Sequence, residues 1–188
     1  GDDEVFSREQ FVEWFDLDHI APSAAQFNTE KLNWLNAHYI KQTDNARLAA
    51  DVSRRLARRE VDPEAGPRLE TIIALYKDRV ATLNELADAA EPFYIDLHPA
   101  PEVIAQHLTD AARAALASLR GTLADVAWEK AALSAAIKET CTAHGMKMPQ
   151  VAIPLRVVLL GQPQTPAIDA VLETMGRELV LGRIDRVL

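Results

Sequence analysis

The stretch "VAIPLRVVLLGQPQTP", residues 151–166, decides the fold class of this chain. Its first eleven residues are rich in β-branched side chains and suit a buried strand as well as a buried helix. Pro154 argues against a central strand, because proline has no N–H to give to a sheet ladder, and no second strand-like run exists to pair with it. The run is therefore predicted to be a helix with Pro154 near its first turn, and the fold class to be all-α. One arginine, Arg156, stands inside it. Either it snorkels out of a core, or its neighbours hold it rigidly so that its planar fork meets a ligand; spacing alone does not choose. Beyond Gly161, Thr165 is predicted to cap the next helix with Pro166 in its first position, the helix running to Met175.

The neighbouring segments support a helical reading. "TDAARAALASL" and "WEKAALSAAIKETCTAHG" are strong helix formers, the second closing on Gly145, and "GRELVLGRIDRVL" carries a last helix. Upstream, Pro92, Pro99 and Pro101 interrupt "EPFYIDLHPAPE" and mark a subdomain boundary. Before it, "RLETIIALYKDRVATL" places Leu69, Ile72, Ile73, Tyr76, Val80 and Leu83 at the helical period, which predicts one amphipathic helix with Arg79 beside its stripe, near its end. A helix from Thr43 carries Leu48, Val52 and Leu56. At the N-terminus, Ser7 and Gln10 form a capping-box pair with Phe6 and Phe11 as a hydrophobic staple. A loop begins at Pro22, and "TEKLNWLNAHYIKQ" puts Leu32, Leu35 and Tyr39 on one helical face. The expected organisation is a helical piece over 1–42, a helical subdomain over 43–97 and a second over 98–188.

With 188 residues, 48% of them hydrophobic and 26% charged, the chain can bury a substantial core. Cys141 is the only cysteine, which excludes an internal disulfide framework, suits a reducing compartment and leads us to expect the cytoplasm. Following Ile137 at helical spacing, it reads as a small core residue. No apolar run approaches the roughly 20 residues a membrane helix needs, and the opening "GDDEVFS" is no signal peptide, so no membrane partner is expected. The net charge of −8 argues against a domain that holds DNA or RNA mainly through phosphates. "RRLARR" reads as a solvated helix face diluted by Asp51 and Glu60.

Nucleophile, base and acid types do not converge in any recognisable catalytic motif, and the five histidines are scattered singly without metal-ligand spacing. The phosphate-binding glycine motifs are absent; "GQPQTPAIDA" lacks the lysine and second glycine of a Walker loop. That loop is either an ordinary helix start or a set of donors, from Gln162, Gln164, Arg156 and backbone amides, for an unpaired base.

The order "FNTEKLNWLNAHYI", then "WEKAALSAAIK", then "HGMKMPQVAIPLRVVLLGQPQTPAIDAVLETMG" resembles the C-terminal, anticodon-binding part of bacterial glutamyl-tRNA synthetases over essentially the whole chain. The opening "GDDE" resembles the segment just after that family's second ATP-binding signature. Neither a "HIGH"-type nor a "KMSKS"-like motif occurs. The resemblance therefore implies only the tRNA-reading end of the enzyme, with two anticodon-binding subdomains behind a short stem-contact piece. It implies glutamate tRNA as partner, a monomer, no cofactor in these residues, and ATP and Mg in a catalytic half outside them; that half also eases the charge objection.

Carried over by position, Arg156, Thr165, Pro166 and Ile168 are implied to hold the first two anticodon bases, and Lys138 stands where some relatives have arginine. Arg79 matches the residue that reads the third base in synthetases restricted to glutamate tRNA. Two readings from other classes stand beside this one: an alanine-rich protein-interaction module and a free-standing enzyme.

Overall fold

The computed structural model describes residues 5–19 and 27–188, and among these it contains α-helices and short 3-10 turns with no strand. The opening "GDDE" and the loop predicted from Pro22 lie outside the described residues. In chain order the helices are α1 (Arg8–Trp14), α2 (Thr29–Gln42), α3 (Asn45–Ala57), α4 (Leu69–Tyr76), α5 (Leu83–Ala90), α6 (Pro101–His107), α7 (Asp110–Asp125), α8 (Lys130–Ala143), α9 (Met148–Leu160), α10 (Ile168–Met175) and α11 (Arg177–Asp185). The all-α expectation holds.

Helix α9 explains why its sequence looked like a strand. It packs against α6, α7, α8 and α11, and Val151, Ala152, Pro154, Leu155, Val157, Val158, Leu159 and Leu160 are all buried. A helix surrounded on most sides has no polar face to reveal its period, so its run reads as continuous apolar sequence. Its start is earlier than predicted. Met148 opens the helix and Pro149 occupies the first turn, which leaves Pro154 inside the helix. Interior proline removes one hydrogen bond to the preceding turn. Dense packing on that face retains the helix.

Two other boundaries differ from expectation. The stripe from Leu69 to Leu83 belongs to two helices, not one. After Tyr76 the chain tightens into a 3-10 turn, Lys77–Arg79, and Val80 is extended. The Thr82 hydroxyl accepts from Glu85 N at 3.1 Å while the Glu85 carboxylate accepts from Ala81 N at 2.7 Å. This reciprocal cap satisfies amides that a continuous helix would have bonded internally, so it starts α5 afresh without disturbing the apolar period.

Thr165 is not an N-cap, and Pro166 is not in the first helical position. Helix α10 begins at Ile168 with Ala167 as N-cap and no side-chain cap bond. The Thr165 hydroxyl instead donates to the Pro166 carbonyl at 2.9 Å, and Asp169 Oδ1 accepts from Ala170 N at 2.9 Å. The acid in the first turn has taken over amide satisfaction.

Other local predictions hold. Ser7 and Gln10 form the capping box, and the Phe6 and Phe11 rings stack at 5.9 Å. Gly145 lies beyond the end of α8 at φ 61°, and Cys141 is buried. On α2, by contrast, only Ile40 is buried, while Leu32 and Tyr39 are exposed. The proline-rich segment does break the helical run: Pro92 sits in the turn Glu91–Phe93 and Pro101 opens α6.

One hydrophobic core runs from Ile40 to Ile184. Helices α3, α4 and α5 pack on one another at one end, α7 to α11 at the other, and α10 touches α4 between them. Two arginines of "RRLARR", Arg55 and Arg59, pin the first group, while Arg54 and Arg58 stand exposed as a solvated face would. Arg59 bridges Asp88 and Glu91, both at 2.6 Å, and Arg55 Nε donates to Asn84 Oδ1 at 3.1 Å, tying α3 to α5 and the turn after it. Hydrogen bonds from Arg59 to Glu91 and Asp88 push its pKa above its usual value.

Candidate nucleic-acid interface

Arg156 is half-buried on α9, flanked by the buried Leu155 and Val157. Its Nε atom is buried and has no hydrogen-bond partner within the protein. Such a donor carries a desolvation cost of about 1–3 kcal/mol that an incoming acceptor would relieve. The rigid helix below it fixes the root of the side chain, which is the condition for a planar fork to recognise the edge of a base.

The loop that follows leads into α10, which packs against α8. Gly161 terminates α9 at φ 72°, a left-handed conformation that suits glycine, and its added Cβ would still clear Leu97 by 3.7 Å. Within the loop Gln162 and Gln164 are exposed, Thr165 is half-buried, and Pro166 is buried; Ile168, the first residue of α10, is 7% exposed. Burial thus fixes Pro166 and Ile168 in place, while Gln162 and Gln164 leave polar groups at the surface. Apolar faces and polar edges are what an unstacked base presents to a protein.

Lys138 lies exposed on α8, which packs against both α9 and α10. The helices that carry Arg156 and Ile168 thus each adjoin the helix that carries Lys138. As an ammonium on a flexible stem, Lys138 supplies charge without a fork.

Arg79 belongs to the other helical group. It closes the 3-10 turn after α4, is exposed, and sits next to a segment held from α2, where Asn36 Nδ2 donates to Ala81 O at 2.6 Å. Lys77 Nζ donates to Thr43 O at 3.3 Å on the same turn. Just before it, Tyr76 is 5% exposed with its hydroxyl buried and unpartnered, and burial pushes that phenol up to about 12 against the opposing charge of Arg79. Contact between α4 and α10 links this turn to the Arg156 side of the molecule.

Sequence reasoning missed Arg183. It is 3% exposed and donates to Leu159 O, to Pro92 O at 2.5 Å and to Ile95 O at 2.9 Å, joining the end of α9, α11 and the proline-rich connection. Burial pushes its guanidinium down to about 10, so it is still charged at neutral pH. The signal was present: Val180, Arg183, Ile184 and Val187 share one helical face, so this arginine falls within an apolar stripe. Among the described residues no group of three or more His, Cys, Asp or Glu could hold a metal ion, and no helix is long and apolar enough to cross a membrane.

Comparison with known proteins gives this arrangement its context. Residues 34–188 match the family model described as Anticodon binding domain. The chain is 77% identical over 186 residues to the glutamate–tRNA ligase of Azoarcus sp. (strain BH72), covering 99% of this chain and 40% of that protein. It is 62% identical over 184 residues to that of Dechloromonas aromatica (strain RCB), covering 98% and 40%. The chain thus spans about 40% of the length of these curated relatives. In fold it is similar to a crystal structure of a glutamate tRNA ligase from Elizabethkingia meningosepticum CCUG26117 in complex with its amino acid, with a TM-score of 0.84 at 22% identity over 98% of this chain and 37% of that one. The alanine-rich protein-interaction reading finds no support in these matches. With 155 consecutive positions, 34 to 188, falling under one family model and the same all-α architecture recurring in the solved structure, the chain belongs to the anticodon binding domain family.

Proposed function

We propose that these 188 residues are the anticodon-reading part of a glutamate–tRNA ligase, and that they recognise glutamate tRNA by contacts to splayed bases without performing chemistry themselves. The observation that carries this reading is the 77% identity to the Azoarcus ligase over 99% of the chain. In it the first two anticodon bases lie over Pro166 and Ile168. The Arg156 fork and the polar groups of the Thr165 loop meet their edges, and Lys138 adds a screened attraction for phosphate. Attachment of glutamate belongs to the longer ligase, where ATP and Mg would act; no step is assigned to them within these residues. A monomer in the cytoplasm, divided into a helical piece over 1–42 and subdomains over 43–97 and 98–188, belongs to the same proposal.

Arg79 is the discriminating residue in this scheme. Glutamate and glutamine anticodons differ at the third base, cytosine against guanine. The usual bidentate fork to guanine O6 and N7 would favour the wrong tRNA. Arg79 must therefore offer its donors to O2 and N3 of an unstacked cytosine, in a space too small for guanine.

The test is binding of labelled glutamate and glutamine tRNA at two salt concentrations. Tighter retention of glutamate tRNA at both is expected, with affinity falling as salt rises. Equal retention of the two would reduce the reading to non-specific electrostatics.

A further inference from the structure

Among the described residues, three buried side-chain atoms have no hydrogen-bond partner: Arg156 Nε, Tyr76 Oη and Asn45 Oδ1. The first belongs to the site already described. The other two flank the turn that carries Arg79. Tyr76 ends α4 and leads into the 3-10 turn Lys77–Arg79, while Asn45 opens α3. Lys77 Nζ ties these two places together by donating to Thr43 O at 3.3 Å, two residues before Asn45. Helices α3 and α4 also pack on each other.

The phenol is fixed and the guanidinium is free. Tyr76 is 5% exposed, and its ring meets the buried Phe93 edge-on at 6.2 Å, which holds the hydroxyl away from water. Burial keeps it protonated far above neutral pH. Arg79 follows three residues later, and in a 3-10 turn that spacing sets two side chains on one side. Its guanidinium lies close enough to oppose, by its charge, the upward shift of the phenol, yet it bonds to none of the described residues. A buried hydroxyl without a partner is costly, and a partner that arrives only with the ligand turns that cost into a drive toward the bound arrangement.

We propose that Tyr76 is a positioning residue for discrimination at the third anticodon base. When tRNA draws the Arg79 side chain against the turn, one guanidinium N–H donates to Tyr76 Oη, and the phenol O–H donates in turn to Asn45 Oδ1. The arginine donor, the hydroxyl and the amide oxygen are then all paired. The remaining donors of the planar fork meet the base from a fixed plane, which is what lets it accept cytosine and refuse the larger guanine. The proposal rests on the reading of Arg79 as the residue that meets the third base.

Tyr76→Phe in the full-length ligase removes the hydroxyl and keeps the ring. The preference for glutamate over glutamine tRNA, read as the ratio of kcat/KM in charging, should narrow about three- to ten-fold, as expected for one lost hydrogen bond. The change should fall in KM for the tRNA, and the melting temperature should not drop, because the hydroxyl has no partner to lose in the free protein. Adding Tyr76→Phe to Arg79→Gln should narrow the preference no further than Arg79→Gln does alone, since the phenol acts through the arginine. An unchanged preference in Tyr76→Phe beside a narrowed one in Arg79→Gln overturns the proposal and leaves the reading of Arg79 standing. An unchanged preference in Arg79→Gln removes that reading and this proposal with it, whatever Tyr76→Phe does. A lowered melting temperature with equal losses for both tRNAs in Tyr76→Phe also overturns it, and makes the hydroxyl structural.

Discussion

At the scale of single residues, Arg156 and Arg79 differ in what the fold does with them. Arg156 rises from a helix buried on most sides and keeps a buried Nε without a partner. Arg156→Ala should weaken glutamate tRNA binding by about 1–3 kcal/mol, roughly 5- to 150-fold, while helix content and melting temperature stay as they are. Circular dichroism and a binding titration on the same sample check it; a collapsed spectrum with normal binding by the remaining folded protein would make the arginine structural. Arg79 is exposed on a turn and anchors nothing in the core. In the full-length ligase, Arg79→Gln should narrow the preference for glutamate over glutamine tRNA mainly by relaxing rejection of the second. Charging rates for both tRNAs decide the matter, and an unchanged ratio removes Arg79 from recognition.

At the scale of elements, the two threonines near helix starts make a controlled comparison. Thr82 accepts from Glu85 N and starts α5; Thr165 bonds only to the carbonyl of Pro166. Thr82→Ala should therefore cost about 1 kcal/mol, some 2–4 °C in melting temperature for a chain of this size. Thr165→Ala should cost well under half of that, yet reduce tRNA affinity if its loop meets a base. Equal losses of stability from the two substitutions would restore Thr165 as a cap. The apolar period of 69–83 could not show the break between α4 and α5, because both helices present their buried residues to the same core and only the Thr82–Glu85 pair marks the join. That pair is itself a capping signature, Thr82 followed three residues on by Glu85.

At the scale of the whole molecule, Arg183 is the tie between the helical groups. Its bonds to carbonyls of Leu159, Pro92 and Ile95 satisfy groups that would otherwise be buried unpaired. Arg183→Met should destabilise the chain by about 3 kcal/mol or more, because filling the volume leaves those acceptors stranded. Urea unfolding measures this. A loss under about 1 kcal/mol would mean that water from the adjoining cavity of 360 Å³ rehydrates them. Exposed pairs add an acid-sensitive part: hydrogen bonds from Arg186 and Arg120 hold Asp96 and Asp185 below the ordinary carboxylate value of 3.8. Their contribution is complete above that value and lost as pH falls through the depressed folded values. Melting temperature should accordingly decline below about pH 4, and less steeply in Asp185→Asn.

The sequence by itself determined the all-α class, the capping box at Ser7, the break around Pro92–Pro101 and the burial of Cys141, because each depends on signals local to a few residues: caps, prolines and helical period. It also carried the family resemblance, since "PLR", Gly161 and the Thr-Pro pair stand in order along the chain. Only the tertiary structure decided that Pro154 lies inside a helix, that Thr165 caps nothing, and that Arg183 is buried among carbonyls while Arg59 bridges two acids. Those outcomes turn on which groups from distant parts of the chain arrive to satisfy a hydrogen bond or to shield a surface, and one-dimensional spacing does not encode those arrivals.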